Sequence, residues 1–141
     1  MHCKACERGI NTKEFQLFNG RYRKIHERTT CETEYVIYMI KCTCGMRYIG
    51  STTNKVKLRI LQHWRAIKNR DFIYVTSKHA WECHKGDLGK MTYFGIKHIP
   101  KQIRGGDREL ILRRTESRLI MEAGTEIPFG LNTDSELHVY L

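Results

Sequence analysis

The pattern of apolar and polar positions changes character several times along the chain, and each change marks an element. Residues 1–34 are polar and weakly periodic, with three cysteines and a turn glycine at Gly20, and read as an irregular lead-in stabilised by metal. From Tyr35 the pattern tightens. Tyr35-Val-Ile-Tyr-Met-Ile40 is a run of β-branched, aromatic and aliphatic residues that predicts a buried strand. Cys42-Thr-Cys-Gly45 turns the chain, and Met46-Arg-Tyr-Ile-Gly50 returns it as the second strand of a hairpin. Ser51-Thr-Thr-Asn54 offers helix-capping side chains, and Lys55 to Asn69 takes up helical spacing. Val56, Ile60, Trp64 and Ile67 fall on one face of that helix, with Lys55, Arg59 and His63 recurring beside it. Residues 70–90 are mixed. Met91 to His98 alternates as a third strand, and Pro100 to Gly106 is a basic loop. Asp107 caps a second helix from about Arg108 to Ala123, which Gly124 closes. Ile127 to Asn132 is a turn-rich return. With no repeat and no low-complexity linker, the chain divides into a cysteine-bearing lead-in, 1–34, and one α/β domain, 35–141.

Composition narrows the partners. Apolar residues make up 40% and there are only two prolines, which favours a folded domain over disorder. The net charge of +10 and pI near 9.5 point to nucleic acid or an anionic membrane surface. No apolar run approaches the roughly 18–20 residues that span a bilayer, and Met1-His-Cys-Lys-Ala-Cys6 lacks the apolar core of a signal peptide. Nucleic acid is the expected partner, and an intracellular setting is expected with it.

Without a secretory signal, six cysteines and seven histidines suggest metal rather than disulfides. Cys42-x-Cys44 with His79 and His84 supplies two thiolates and two imidazoles, a tetrahedral zinc set. Such an ion would pin the hairpin turn to the segment after the first helix. Cys3, Cys6 and Cys31, with His26 as a fourth candidate, are a second and weaker group; Cys83 is not expected to be a ligand. Glu116 is out of place in a different way. Leu112, Leu119 and Ile120 surround it on its helix, so its face should be buried, and an unpaired carboxylate there costs on the order of several kcal/mol. Arg113 and Arg59 are the protein cations that would satisfy it, and a bound metal ion is the alternative.

Taken in order, these residues form a recognisable set. Val36-Ile-Tyr38 is followed by Tyr48-Ile-Gly50, then by Arg59 with His63 one turn on, then by Glu116, then by Gly130-Leu-Asn132. The set resembles the GIY-YIG nuclease family, and within it the nuclease domain at the C-terminus of Penelope-like retroelement proteins. Cys42-Thr-Cys-Gly45, Ser77-Lys-His79 with His84, Phe94-Gly-Ile96 and Arg104-Gly-Gly-Asp107 resemble that subgroup too, as does the Cys3-x-x-Cys6 lead-in. The resemblance implies a small antiparallel three-stranded sheet flanked by helices, with a zinc-stabilised lead-in and insert. It implies a metal-dependent DNA endonuclease that hydrolyses phosphodiester bonds, nicking target DNA for retroelement insertion. DNA and a reverse-transcriptase segment or protein are the implied partners, with no membrane, and the implied setting is nuclear.

By the same resemblance, one of Tyr38 and Tyr48 activates the attacking water, and His63 supports a tyrosine. Arg59 binds the scissile phosphate. Glu116 is the single protein ligand of Mg²⁺ or Mn²⁺, and Asn132 closes the site. Gly50 permits close backbone approach, and Gly50, Lys55 and Arg59 face the DNA. Val36 departs from the first glycine of the family name, in a strand where the change is harmless. Ser51 stands where some members carry lysine; if that lysine assists activation of the base, either Lys55 substitutes for it or the assistance is missing. Two other classes compete. A catalytically silent, zinc-dependent nucleic-acid-binding module would let the catalytic positions decay, yet all are present. A zinc-stabilised protein-interaction module explains the cysteines but not Arg59, His63 and Glu116 together.

Overall fold

The structure is a computed structural model and describes residues 4–133. Its centre is β3 (Val36–Cys42), buried at every position but one. β4 (Arg47–Thr52) pairs with it antiparallel from Val36↔Thr52 to Lys41↔Arg47, and β5 (Met91–His98) pairs antiparallel on the other side. The result is a three-stranded antiparallel sheet in the order β4-β3-β5, built from the three strands that the sequence predicted. Period-two geometry sends Val36, Tyr38, Ile40 and Cys42 to one face and Ile37 and Met39 to the other. α1 (Val56–Lys68) covers the first face with Val56, Ile60, Trp64 and Ile67, the stripe read from the sequence. α3 (Arg108–Ala123) covers the second with Leu112, Leu119 and Ile120. Its ends are those predicted. Asp107 Oδ1 accepts from Leu110 N at 3.0 Å, and Gly124 leaves the helix at φ 69°, where a side chain would also collide with the Phe18 ring. Among the described residues no helix is long and apolar enough to cross a membrane.

Three local expectations need correcting. The lead-in is not irregular: β1 (Glu14–Gln16) and β2 (Tyr22–Lys24) form an antiparallel hairpin, with Gly20 at φ 87° in its turn. Phe15 enters the α3-side core, Ala5 enters the α1-side core, and Gly9 bridges to Tyr93 on the outer side of β5. The lead-in thus shares the domain's cores. Secondly, Ser51 and Thr52 belong to β4, because pairing with Ile37 and Val36 continues through them. No side chain caps α1; its first N–H groups, on Val56 and Lys57, donate to Thr33 O and Cys31 O, each at 3.0 Å.

Thirdly, residues 70–90 hold a helix, α2 (Val75–His84). Its buried positions are Thr76, Ser77, His79 and Ala80, so no apolar stripe announces it. Hydrogen bonds replace the stripe. Ser77 Oγ donates to Ala66 O at 2.9 Å and Trp81 Nε1 to Ile67 O at 2.6 Å, fastening α2 to the end of α1.

Candidate active site and metal centre

Two polar clusters sit on the α1–α2 side of the sheet, and α2 contributes to both. The first is organised by His63. At position i+4 from Arg59 it points inward and is 2% exposed. Its Nε2 lies 2.8 Å from Tyr38 Oη, and its Nδ1 lies 2.8 Å from Thr76 Oγ1. The rings of Tyr48 and Tyr74 meet it edge-on at 5.5 and 5.4 Å between centroids. Burial pushes its pKa down from 6.5 to about 3, and the Arg59 charge adds to that, so the imidazole is neutral at ordinary pH.

Arg59 is held from several directions. It donates to Gln62 Oε1 at 2.8 Å, lies 5.6 Å from the centre of the Tyr74 ring, and its charge acts on the Tyr38 hydroxyl. Burial opposes its charge, but the hydroxyls of Tyr38, Tyr48 and Tyr74 outweigh burial and hold its pKa above the ordinary value. Tyr48, Arg59, His63, Ile73, Tyr74 and Val75 line a pocket of about 320 Å³. Tyr38 is fully buried behind it, so Tyr48 is the motif tyrosine on the pocket wall. Gly50 makes this arrangement possible: a Cβ there would come within 2.5 Å of Tyr38 Oη. The space that Gly50 leaves is filled by the protein's own tyrosine.

The remaining predicted residues lie apart from this pocket. Glu116 reaches β4 from the α3 side, where Ser51 Oγ donates to its Oε2 at 2.7 Å and Arg113 Nη1 lies 3.9 Å away. Arg113 also donates to Ser51. The protein cation beside Glu116 is therefore Arg113, while Arg59 is taken up by the tyrosine cluster. Because β4 is an outer strand, Tyr48 on one face and Ser51 with Glu116 on the other flank the same edge. Asn132 is wholly buried and works as a clasp. Its Oδ1 accepts from Ile49 N at 2.9 Å and its Nδ2 donates to Ile49 O at 2.8 Å, binding the C-terminal turn to β4. Lys55 is paired with Glu32 at 3.0 Å, and Lys57 pairs with the same carboxylate, whose pKa these two lysines lower.

The second cluster brings together Cys42, Cys44, His79 and His84, with all four donor atoms within 4.8 Å of one another. Cys42 Sγ lies 2.7 Å from His84 Nε2, and Cys44 Sγ lies 3.3 Å from His79 Nε2. A tetrahedral zinc with ordinary bond lengths needs donor separations of roughly 3.3–3.8 Å, which small side-chain shifts provide here. Burial raises the Cys42 thiol and lowers His79, the second assisted by His84. A bound cation favours the thiolate and uses neutral imidazole. The cluster can thus hold a metal such as zinc. Cys83 is exposed and outside it, as expected. Cys3 lies outside the described residues; Cys6, Cys31 and His26 form no ligand group among those described.

Sequence reasoning missed Thr76, Tyr74 and Gln62. Tyr74 and Thr76 fall in the stretch without periodicity, and a threonine at a helix start is an ordinary sight. Comparison of the chain with family models, with curated proteins and with solved structures finds no match.

Proposed function

We propose that this chain is a divalent-metal-dependent DNA endonuclease of the GIY-YIG kind. The observation that carries the proposal is the pocket wall itself: a guanidinium fixed by three neighbours, a tyrosine facing the pocket, and a second tyrosine bonded to a neutral, buried histidine. Such a wall suits phosphodiester hydrolysis, which needs an activated water and a fixed positive charge for the phosphoryl oxygens. In this reading Arg59 binds the scissile phosphate. Tyr48 takes a proton from the attacking water. A free phenol titrates near 10, too high for an efficient base, and the adjacent guanidinium favours the phenolate. Tyr38 and His63 hold Arg59 and Tyr48 in place from behind.

Glu116 suits a hard cation, being an anionic oxygen donor at the edge of the same strand, oriented by Ser51. Magnesium or manganese held there would supply Lewis-acid stabilisation of the phosphoryl and leaving oxygens. The Cys42, Cys44, His79 and His84 cluster, holding structural zinc, fixes α2 against the hairpin turn and so keeps Tyr74 at the pocket. The biological setting proposed with this reading is nicking of nuclear target DNA for retroelement insertion, together with a reverse-transcriptase segment or protein.

The test is incubation of the zinc-loaded chain with supercoiled plasmid in Mg²⁺, Mn²⁺ or chelator. Nicked circles should form only with the divalent cation, and not with Glu116→Gln. A folded, zinc-loaded chain that binds DNA but never cuts it would identify the silent binding module instead.

A further inference from the structure

Thr76 is 0% exposed at the start of α2, and its hydroxyl oxygen lies 2.8 Å from His63 Nδ1. Nothing in the nuclease reading uses it. Its meaning follows from the other end of the chain of contacts. A guanidinium has no acceptor, so the Arg59 charge that acts on the Tyr38 oxygen favours a lone pair, not the hydroxyl proton, on its side. The Tyr38 hydroxyl proton is then directed to the atom that lies 2.8 Å from its oxygen, His63 Nε2. A neutral imidazole carries a single N–H, so with Nε2 accepting, the proton sits on Nδ1 and points at Thr76 Oγ1.

We infer that Thr76 is a positioning residue: it accepts from His63 Nδ1–H and fixes the tautomer that leaves Nε2 to accept from Tyr38. The chain then runs one way, Arg59 to Tyr38 to His63 to Thr76, and Thr76 orients the phosphate-binding guanidinium through two hydrogen bonds and the Arg59–Tyr38 interaction. This rests on the nuclease reading for its effect on cleavage, but not for the tautomer. The charged or titratable groups facing His63 are Arg59 from its own helix, Tyr38 from β3, Tyr48 from β4, and Tyr74 before α2. Arg59 disfavours imidazolium, and none of the four is a carboxylate that would favour it. The depressed His63 pKa agrees with a ring that stays neutral in this role.

Two measurements test the assignment. Nitrogen-15 NMR of histidine-labelled, zinc-loaded wild-type chain should show His63 as the Nδ1-protonated neutral tautomer, unchanged between about pH 5 and 8. An Nε2-protonated ring would overturn the inference without any variant and whatever the enzyme does to DNA. The second measurement compares Thr76→Val, which keeps the shape and loses the oxygen, with Thr76→Ser, which keeps the oxygen. In Thr76→Val the Nδ1-protonated form should no longer dominate, and kcat for nicking should fall about 10- to 100-fold with KM within about twofold, against near-normal turnover in Thr76→Ser. Wild-type tautomer and kcat in a folded Thr76→Val chain would also overturn it. A wild-type chain with the expected tautomer and no nicking would remove the nuclease reading and leave the role of Thr76 toward His63 standing.

Discussion

The two faces of the central sheet are built on opposite principles. On the α3 side, Ile37, Met39, Ile49, Phe94, Leu112 and Ile120 pack with Phe15 into an apolar core, and the polar group of Ser51, Glu116 and Arg113 is confined to its β4 border. On the α1–α2 side the same strands bury Tyr38, His63, Thr76, Ser77 and His79 among the apolar groups. The first face is non-directional and tolerates adjustment, because hydrophobic burial depends on area more than on angle. The second depends on nearly every polar atom meeting its partner, since an unsatisfied buried group costs about 1–3 kcal/mol; among the described residues Trp64 Nε1 is the exception. A protein that needs a histidine in one tautomer and an arginine at one angle gains from that intolerance. The apolar face supplies stability, and the polar face spends some of it on geometry.

The sharpest way to break this division is to attack the metal cluster. Removing the metal with chelator, or one ligand by Cys44→Ser, should release one equivalent of zinc, measured by metal analysis. Structural zinc contributes on the order of 10 kcal/mol in small metallo-domains, so the polar face should loosen, with a large drop in melting temperature. A folded, active chain without zinc would show that the hydrogen bonds suffice. Next in size is Glu116→Gln, expected to lower nicking by about 10³-fold or more, roughly 4 kcal/mol, with an unchanged melting curve. Full activity in Mg²⁺ would remove Glu116 from the chemistry.

Leu112→Ala strikes the other face. It should cost about 3 kcal/mol of stability by denaturant titration, while kcat per folded molecule stays near wild type. A proportionate loss of kcat would mean that the faces are not separable.

Acid should act through the polar face. The unfolded His63 takes up a proton near pH 6.5 and the folded one only near 3, so the unfolded state binds more protons between those values. Its stabilising contribution is complete above about 6.5 and falls by roughly 1.4 kcal/mol per pH unit as pH drops through that window. The slope should flatten by about one proton in His63→Gln; equal slopes would show that another group governs acid unfolding. The smallest effect is expected at Lys55. Its exposed pair with Glu32 is screened by solvent, so Lys55→Ala should leave the denaturation midpoint unchanged.

The same contrast explains what could be read in advance. Apolar periodicity exposed β3, α1, β5 and α3, and the Asp107 and Gly124 caps gave α3 its ends. It was silent on α2, whose buried positions are mostly polar, and with it on Tyr74 and Thr76. The four metal-centre residues were legible because cysteine and histidine pairs are rare enough to stand out. Lys55 and Asn132 were visible as residue types, but their partners, Glu32 and Ile49, follow only from tertiary packing. Ser51 reads as a cap because serine at a strand end and serine before a helix look alike; only the pairing register separates them.

The clasp made by Asn132 and the bridge made by Gly9 have a consequence for how copies of this protein behave together. β4 and β5 are the outer strands, and a bare outer strand is a template on which another chain can add. At Ile49 both backbone groups are occupied by a single amide side chain, and Arg47 O accepts from Leu131 N at 2.9 Å. On the opposite border, Ile10 N donates to Tyr93 O at 2.9 Å. Neither border presents an open ladder at these residues, so growth by strand addition is blocked there without a fourth strand. A chain shortened to residues 35–141 would uncover Tyr93 and become adhesive. In that sense the lead-in guards against aggregation, whatever else its cysteines do.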